Sequence, residues 1–356
     1  MTERFAYDDV PYDTEANADT HPSAMATLAR LAGLEPARPS TARVLEIGCG
    51  NGENLLAAAT YLPRARFVGF DLAASAVTAG LDAARASGVD NVRLYTADIR
   101  DVRASGVTGE PPSFEYVIAH GMYSWIPPDV RRDMLAVMRD ALTPDGIGFV
   151  SINALPGWEL RRALRELARD ATRTLDDPRT KVEEALRVIA ELARSSVDAR
   201  ARASFVDALA TAAREYLDHV ERAMPPGAPF SRYVFHDLLA EINEPFSVEG
   251  LAEELAAARL RLVCESPLRP FRATGSSADL ATDLARTGTP FLQVLVQRDD
   301  APAARAPDPR AALDLLLWAD LTPVSPGAYR TSTGALVRPV GDDGLARAAR
   351  LAARVV

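Results

Sequence analysis

Short apolar runs alternate with helix-period segments along the first 153 residues. The first run starts at Val44 and carries one acid, Glu46, before Ile47. Similar runs recur as RFVGFDL over Arg66–Leu72, VRLYTADI over Val92–Ile99, FEYVIAHG over Phe114–Gly121 and GIGFVSIN over Gly146–Asn153. Runs this apolar suit strands covered on both faces. Between the last two, Asp129–Leu142 places apolar residues at 134, 135, 138 and 142, the spacing of one helix face. Strand and helix patterns in alternation predict an α/β domain, a parallel sheet with helices on both sides.

Three glycines follow the first strand at alternate positions, Gly48, Gly50 and Gly52, and an apolar helix pattern begins after them. A strand, a tight turn and a helix start form a ligand cradle. Glycine lets a ligand lie against the main chain, and the helix N-terminus offers unpaired N–H groups. The spacing is G-x-G-x-G, not the G-x-G-x-x-G of dinucleotide folds. Asp71 lies about 20 residues on, at the end of the second strand, where an acid can accept both ribose hydroxyls. Asp98 ends the third strand. Each acid alone reads as a turn or cap residue; at two strand ends on the ligand edge they point to a nucleoside. With Glu46 two residues ahead of the first glycine, the turn resembles motif I of class I S-adenosylmethionine-dependent methyltransferases.

Beyond Asn153 the pattern changes. A helical block runs from Trp158 to about Ala223, interrupted at Asp177-Pro178, and a loop over Pro225–Pro229 follows. Helix patterns return over Val234–Ile242 and Val248–Ala258, separated by Asn243-Glu244-Pro245, because proline drives its predecessor out of the α region. Two strand patterns come next, Leu260–Glu265 and Phe291–Arg298. Residues 300–356 open on an Ala/Pro/Asp-rich linker and continue as a small β-β-α unit, its helix over Gly344–Val355.

Composition narrows the function. Of 356 residues, 48% are hydrophobic, enough for a substantial core. A net charge of −9 argues against binding to a phosphate backbone, so no nucleic-acid partner is expected. Arg161, Arg162, Arg165 and Arg169 lie among Glu159, Glu166 and Asp170 and read as a solvated, salt-bridged face. Cys49 and Cys264 are the only cysteines, and four histidines are scattered, so neither a disulfide nor a metal site is expected. No signal pattern and no run of 18 apolar residues appear, which predicts a cytoplasmic protein without membrane association.

More specific segments extend the resemblance. YDDVPYDTEANADTHP, AHGMYSWIPPDVR, SINALPGW and INEPF are similar to a branch of class I enzymes that carries a methyltransferase regulatory domain and includes bacterial protein-lysine methyltransferases. The resemblance implies a Rossmann-like class I sheet over 43–153, completed by its last two strands within 251–299. A helical insertion over 154–250 would roof the site, the alternative being that the whole stretch after Asn153 forms a separate domain with its own small sheet, and residues 1–42 would supply a lid and a helix. It implies S-adenosylmethionine as cofactor and S-adenosylhomocysteine as product. Gly48, Gly50 and Gly52 would hold the methionine part, with Glu46 orienting the turn. Asp71 would bind ribose and Asp98 adenine, between Leu72 and Ile99.

The loop after the fourth strand would face the transferred methyl. There Tyr123 and Trp125 are candidates for an aromatic wall around an acceptor amine, although Trp125 also reads as packing under the next helix. His120 is open to two readings, base or structural histidine, and Tyr7 and Tyr12 to lid or packed arm. Asn153 and Trp158 flank the mouth, whereas His236, Asn243 and Glu244 read as cap and turn residues. The expected reaction is methyl transfer to an amine of a peptide or protein, with a small-molecule N- or O-methyltransferase as the alternative. The final unit resembles the opening of an extension in longer members and ends at Val356, which raises that alternative. A homodimer is compatible with this reading.

Overall fold

The computed structural model describes residues 10, 15–107, 109–111, 113–194, 205–223, 230–266, 277–305, 321–325, 328–331 and 336–337. Tyr7, Tyr12, the loop 225–229 and the expected C-terminal helix lie outside them.

Seven strands form one sheet: β1 (Arg43–Ile47), β2 (Arg66–Asp71), β3 (Val92–Thr96), β4 (Phe114–Ala119), β5 (Leu142–Asn153), β6 (Leu260–Ser266) and β7 (Phe291–Arg298). Their order is β3-β2-β1-β4-β5-β7-β6. The first five run parallel, and β7 is antiparallel to both β5 and β6. Strands β1 and β4 are buried almost throughout, as sheet-centre strands must be when helices cover both faces. Strand β5 begins earlier than the sequence predicts. Leu142 already pairs with Phe114, and a register shift precedes the regular ladder from Ile147.

The chain winds outward from β1 through β2 to β3, then returns to place β4 on the other side of β1. Order reversal leaves a crevice at the carboxyl ends of β1 and β4, the standard ligand position of an open α/β sheet. The connecting helices are α1 (Pro22–Leu31), α2 (Glu53–Tyr61), α3 (Ala74–Ser87), α4 (Ile99–Ser105) and α5 (Pro128–Ala141). Two apolar clusters sandwich the sheet. One includes Leu45, Val117 and Val150; the other Val44, Tyr116 and Phe149. Adjacent residues of one strand thus feed opposite layers.

Between β5 and β6 come α6 (Glu159–Thr172), α7 (Pro178–Arg194), α8 (Phe205–Ala223), α9 (Arg232–Leu238) and α10 (Val248–Ala257). The first four share an apolar core of their own, centred on Leu164, Ala185, Ile189, Tyr216 and Val234. The arginines of α6 do not form the solvated face expected. Arg165 is buried, and its guanidinium donates to the carbonyl oxygen of Leu238 at the C-terminus of α9 (2.6 Å) and to those of Ala240 and Glu241 just beyond it. Arg169 donates to the carbonyl of Ala240 at 2.8 Å. Only Arg162 among the four keeps an exposed pair, with Glu159.

A further helix, α11 (Ser277–Thr287), was not legible in the sequence; its Leu280 and Leu284 join the sheet core. Residues Asp308–Val356 form a separate compact unit, in which β8 (Leu321–Ser325), β9 (Ala328–Thr331) and β10 (Leu336–Val337) make a three-stranded antiparallel sheet. No helix among the described residues is long and apolar enough to cross a membrane.

The glycine turn is pressed against α3. A Cβ on Gly80 would stand 2.1 Å from the carbonyl oxygen of Asn51. Gly80→Ala is therefore expected to cost about 2 kcal/mol through overpacking and to weaken cofactor binding with it. Urea denaturation and calorimetric titration with S-adenosylhomocysteine check both effects.

Candidate active site

All three glycines of the turn have positive φ: 69° at Gly48, 54° at Gly50 and 70° at Gly52. Ordinary side chains resist that region. A Cβ on Gly48 would also lie 2.8 Å from Met122 Sδ and one on Gly52 2.7 Å from Leu94, so these side-chain ends would have to shift. The Gly50 amide donates to Asp71 Oδ2 at 2.8 Å, and the Ala73 amide donates to Oδ1 at 2.8 Å. The ends of β1 and β2 are thus tied together by one carboxylate, which keeps further lone pairs for other donors. Leu72, next to it, is 43% exposed, an apolar surface without cover. Ile99, opposite in the expected sandwich, is buried at the start of α4.

Asp98 caps α4 through the Arg100 amide at 2.9 Å, and the Arg100 guanidinium grips its carboxylate at 2.6 Å. These bonds hold its ionised form and lower its pKa. In this structure Asp98 does the work of a cap.

Glu46 is 5% exposed. One of its oxygens accepts from Asn54 Nδ2 at 2.8 Å; Oε2 is buried without a hydrogen-bond partner. Burial pushes its pKa up to about 8, with Asp71 adding to the effect against the Asn54 bond. An acceptor left open beside a turn of three glycines suits a cationic amine.

Asn54 begins a polar chain that the sequence reading missed. Its Oδ1 accepts from the Asn17 amide at 3.0 Å and the Thr20 hydroxyl at 3.0 Å. Asn17 Oδ1 accepts from the Asp19 amide at 2.9 Å, which turns Asn17 Nδ2 toward His120 Nε2 (3.0 Å) and Gln293 Oε1 (3.2 Å). An amide nitrogen only donates, so His120 Nε2 accepts and its proton resides on Nδ1. Burial lowers the His120 pKa to about 4, and the ring meets Phe149 and Phe291 edge-on. His120 is a neutral, fixed imidazole; the base reading does not fit a nitrogen already engaged by Asn17.

Tyr123 corrects the sequence reading most clearly. It is fully buried, and its hydroxyl donates to Glu254, which with burial raises its pKa. The ring packs edge-on against Phe246 at 5.1 Å. No acceptor can lie against it; the apolar ring is drawn into the sheet core instead. Trp125 is half-buried, at the end of a 3-10 turn over Tyr123–Trp125.

Around Tyr123 lies a latch centred on Arg131, which is 3% exposed. Its guanidinium donates to the Ile126 carbonyl at 2.9 Å and to Glu244 Oε2 at 2.8 Å, and stands 4.7 Å over the Phe246 ring. Ser124 Oγ accepts from the Asn153 amide, and the Ser124 carbonyl from the Glu244 amide. The Tyr-Ser-Trp and Asn-Glu-Pro-Phe segments therefore meet, and they hold the loop after β4 against the end of β5. Among the described residues no group of His, Cys, Asp or Glu is arranged to hold a metal.

Comparison with known proteins agrees with this geometry. A family model described as a methyltransferase domain matches residues 44–146. Protein RP028 of Rickettsia prowazekii, uncharacterized, is 30% identical over 244 residues, 68% of this chain and 90% of its own. The chain belongs to the class I S-adenosylmethionine-dependent methyltransferases. Protein RP789 of the same organism, also uncharacterized, is 29% identical over 67% of this chain and 42% of its own. Two structures of PKMT2 from Rickettsia typhi share the fold. One matches with a TM-score of 0.69 at 24% identity over 88% of this chain; the other, in complex with AdoHcy, with 0.74 at 22% over 94%. The chain spans 60–65% of the length of those structures. The cofactor of this methyltransferase is S-adenosylmethionine, and the residues at the turn fit it: the bare glycine floor, the open oxygen of Glu46 and the carboxylate of Asp71.

The folded-state pKa of Glu46 lies above its ordinary value of 4.5, so the native protein holds this proton longer than the unfolded chain. Its contribution to stability is complete below about pH 4.5 and is lost as pH rises through about 8. Denaturation of the cofactor-free protein at pH 5, 7 and 8.5 should show this decline in the wild type and a flatter profile in Glu46→Gln. In the latch, Arg131→Met is expected to cost about 2 kcal/mol and Tyr123→Phe about 1 kcal/mol, as read from denaturation midpoints.

Proposed function

We propose that this methyltransferase acts on an amine of a peptide or protein. One observation carries the reading: the His120 imidazole in the loop after β4 is neutral and already bonded, so the site suits a nucleophile that needs no strong base. A neutral amine is such a nucleophile, since its proton can leave to water after attack. Support also comes from the segments that resemble bacterial protein-lysine methyltransferases and from the fold shared with PKMT2 over 94% of the chain.

When bound, S-adenosylmethionine supplies a methyl group already activated by a positive sulfur. The chain's residues align and exclude water, the terms that proximity makes large. In this proposal Gly48, Gly50 and Gly52 hold the methionine part, and Glu46 Oε2 accepts from its amine. Asp71 takes the ribose hydroxyls and Leu72 one face of the base. Asp98 takes the adenine amino group only if Arg100 yields its grip. His120 and Met122 form the wall toward the acceptor, and the helices between β5 and β6 are its roof.

Incubation with radiolabelled S-adenosylmethionine and a lysate divided into protein and small-molecule fractions tests the acceptor. Label is expected in protein, stable to acid and base as an N-methyl group is. Label confined to small molecules would overturn the reading in favour of a small-molecule methyltransferase.

A further inference from the structure

In the helical block, outside the glycine turn, one cation lies in an aromatic and acidic enclosure. The Arg161 guanidinium carbon is 5.3 Å from the centre of the Trp158 ring and 5.4 Å from that of Tyr216. Its Nη1 donates to the Tyr233 hydroxyl at 3.3 Å and lies 3.7 Å from Asp237 Oδ2. Rings that present their faces and one carboxylate are the chemistry that receives ammonium and guanidinium groups.

Arg161 fills this enclosure without satisfying it. Trp158 Nε1 has no hydrogen-bond partner, and the Tyr216 hydroxyl and Asp237 Oδ2 face each other without a well-formed hydrogen bond, although Trp158, Tyr216 and Asp237 are at most 4% exposed. Buried polar atoms are nearly always well bonded, and one orphan with two poorly bonded atoms around one cation calls for a cause. A permanent ion pair in this same protein looks different: Arg43 approaches Glu115 to 2.6 Å and contacts both of its oxygens. The Arg161 side chain is also 23% exposed, so it has a way out.

The enclosure is wired to the reaction edge of the sheet. Asn153 ends β5, and its amide donates to Ser124 of the loop after β4. Asn153 Nδ2 donates to Asn243 Oδ1 at 2.7 Å, and Asn243 Nδ2 to the Asp237 carbonyl at 2.9 Å.

We propose that Trp158, Tyr216, Tyr233 and Asp237 form a recognition cage for a basic side chain of a peptide acceptor, a cage that Arg161 occupies until such a side chain displaces it. This rests on the protein-acceptor reading above and adds the charge that the acceptor must carry.

The test is calorimetric titration of the full chain, with S-adenosylhomocysteine bound, by acetyl-Ala-Ala-Lys-Ala-Ala-amide and by its norleucine counterpart at low salt. The lysine peptide is expected to bind about tenfold more tightly than the norleucine peptide. Arg161→Gln, which removes the resident cation, should tighten the lysine peptide several-fold, an effect that a merely structural arginine would not give. Asp237→Asn should abolish the preference. Tyr233→Phe, which drops one hydroxyl and keeps the packing, should reduce it, and covers the case in which Asp237→Asn does not fold. Equal binding of the two peptides by wild type and Arg161→Gln would overturn the cage, as would a preference that survives both Asp237→Asn and Tyr233→Phe. A charge preference without protein methylation in the lysate assay would sink the acceptor reading and leave the cage as a basic-peptide site. Protein methylation indifferent to these variants would do the reverse.

Discussion

A guanidinium withdrawn from water needs its charge compensated from several directions, and Arg131 shows what that requirement can organise. Its donors reach the backbone of the loop after β4 and the side chain of Glu244, while its face covers Phe246. Two segments far apart in sequence, Ile126–Arg131 and Glu244–Phe246, are therefore fixed relative to one another. Loss of any partner would strand charge or a carbonyl in the interior. The wall of the reaction crevice, from His120 to Trp125, takes its position from this constraint. So does the register in which residues 243–246 join the end of β5, where the Phe246 amide donates to the Asn153 carbonyl at 2.9 Å.

The donor side of the site was largely legible in the sequence because backbone conformation dictates residue type there. Positive φ at Gly48, Gly50 and Gly52 leaves glycine as the ready solution, and a carboxylate at the end of β2 is placed by strand length alone. The sheet was legible for a similar reason: buried parallel strands need unbroken apolar runs. Tyr123 was not, since an aromatic residue after β4 can turn outward to a ligand or inward to the core. Only its partners Glu254 and Phe246, more than 120 residues away, decide the matter. The arginines of α6 failed in the same way. Charge on a helix looks solvated until another helix brings its open carbonyls to Arg165.

Asn17 and Asn54 illustrate a different gap. Neither belongs to a glycine turn or an acid at a strand end, and an asparagine beside a helix start ordinarily reads as a cap. Together they run a hydrogen-bonded chain from Glu46 to His120, so the two flanks of the crevice share one set of polar contacts. The segment before β1 is thereby a structural part of the cofactor side. Its amide contact orients a histidine that burial keeps neutral.

The four helices α6 to α9 keep a core separate from the two that sandwich the sheet. They meet the sheet edge through the short seam of Asn153, Asn243 and Phe246. Elements with their own core and a narrow attachment open at a lower free energy than the whole molecule. Slow amide exchange should therefore divide this protein unevenly: the central strands give up their protons only on global unfolding, and the helical block on smaller, more frequent excursions. Such breathing exposes one side of the crevice while the glycine floor stays closed.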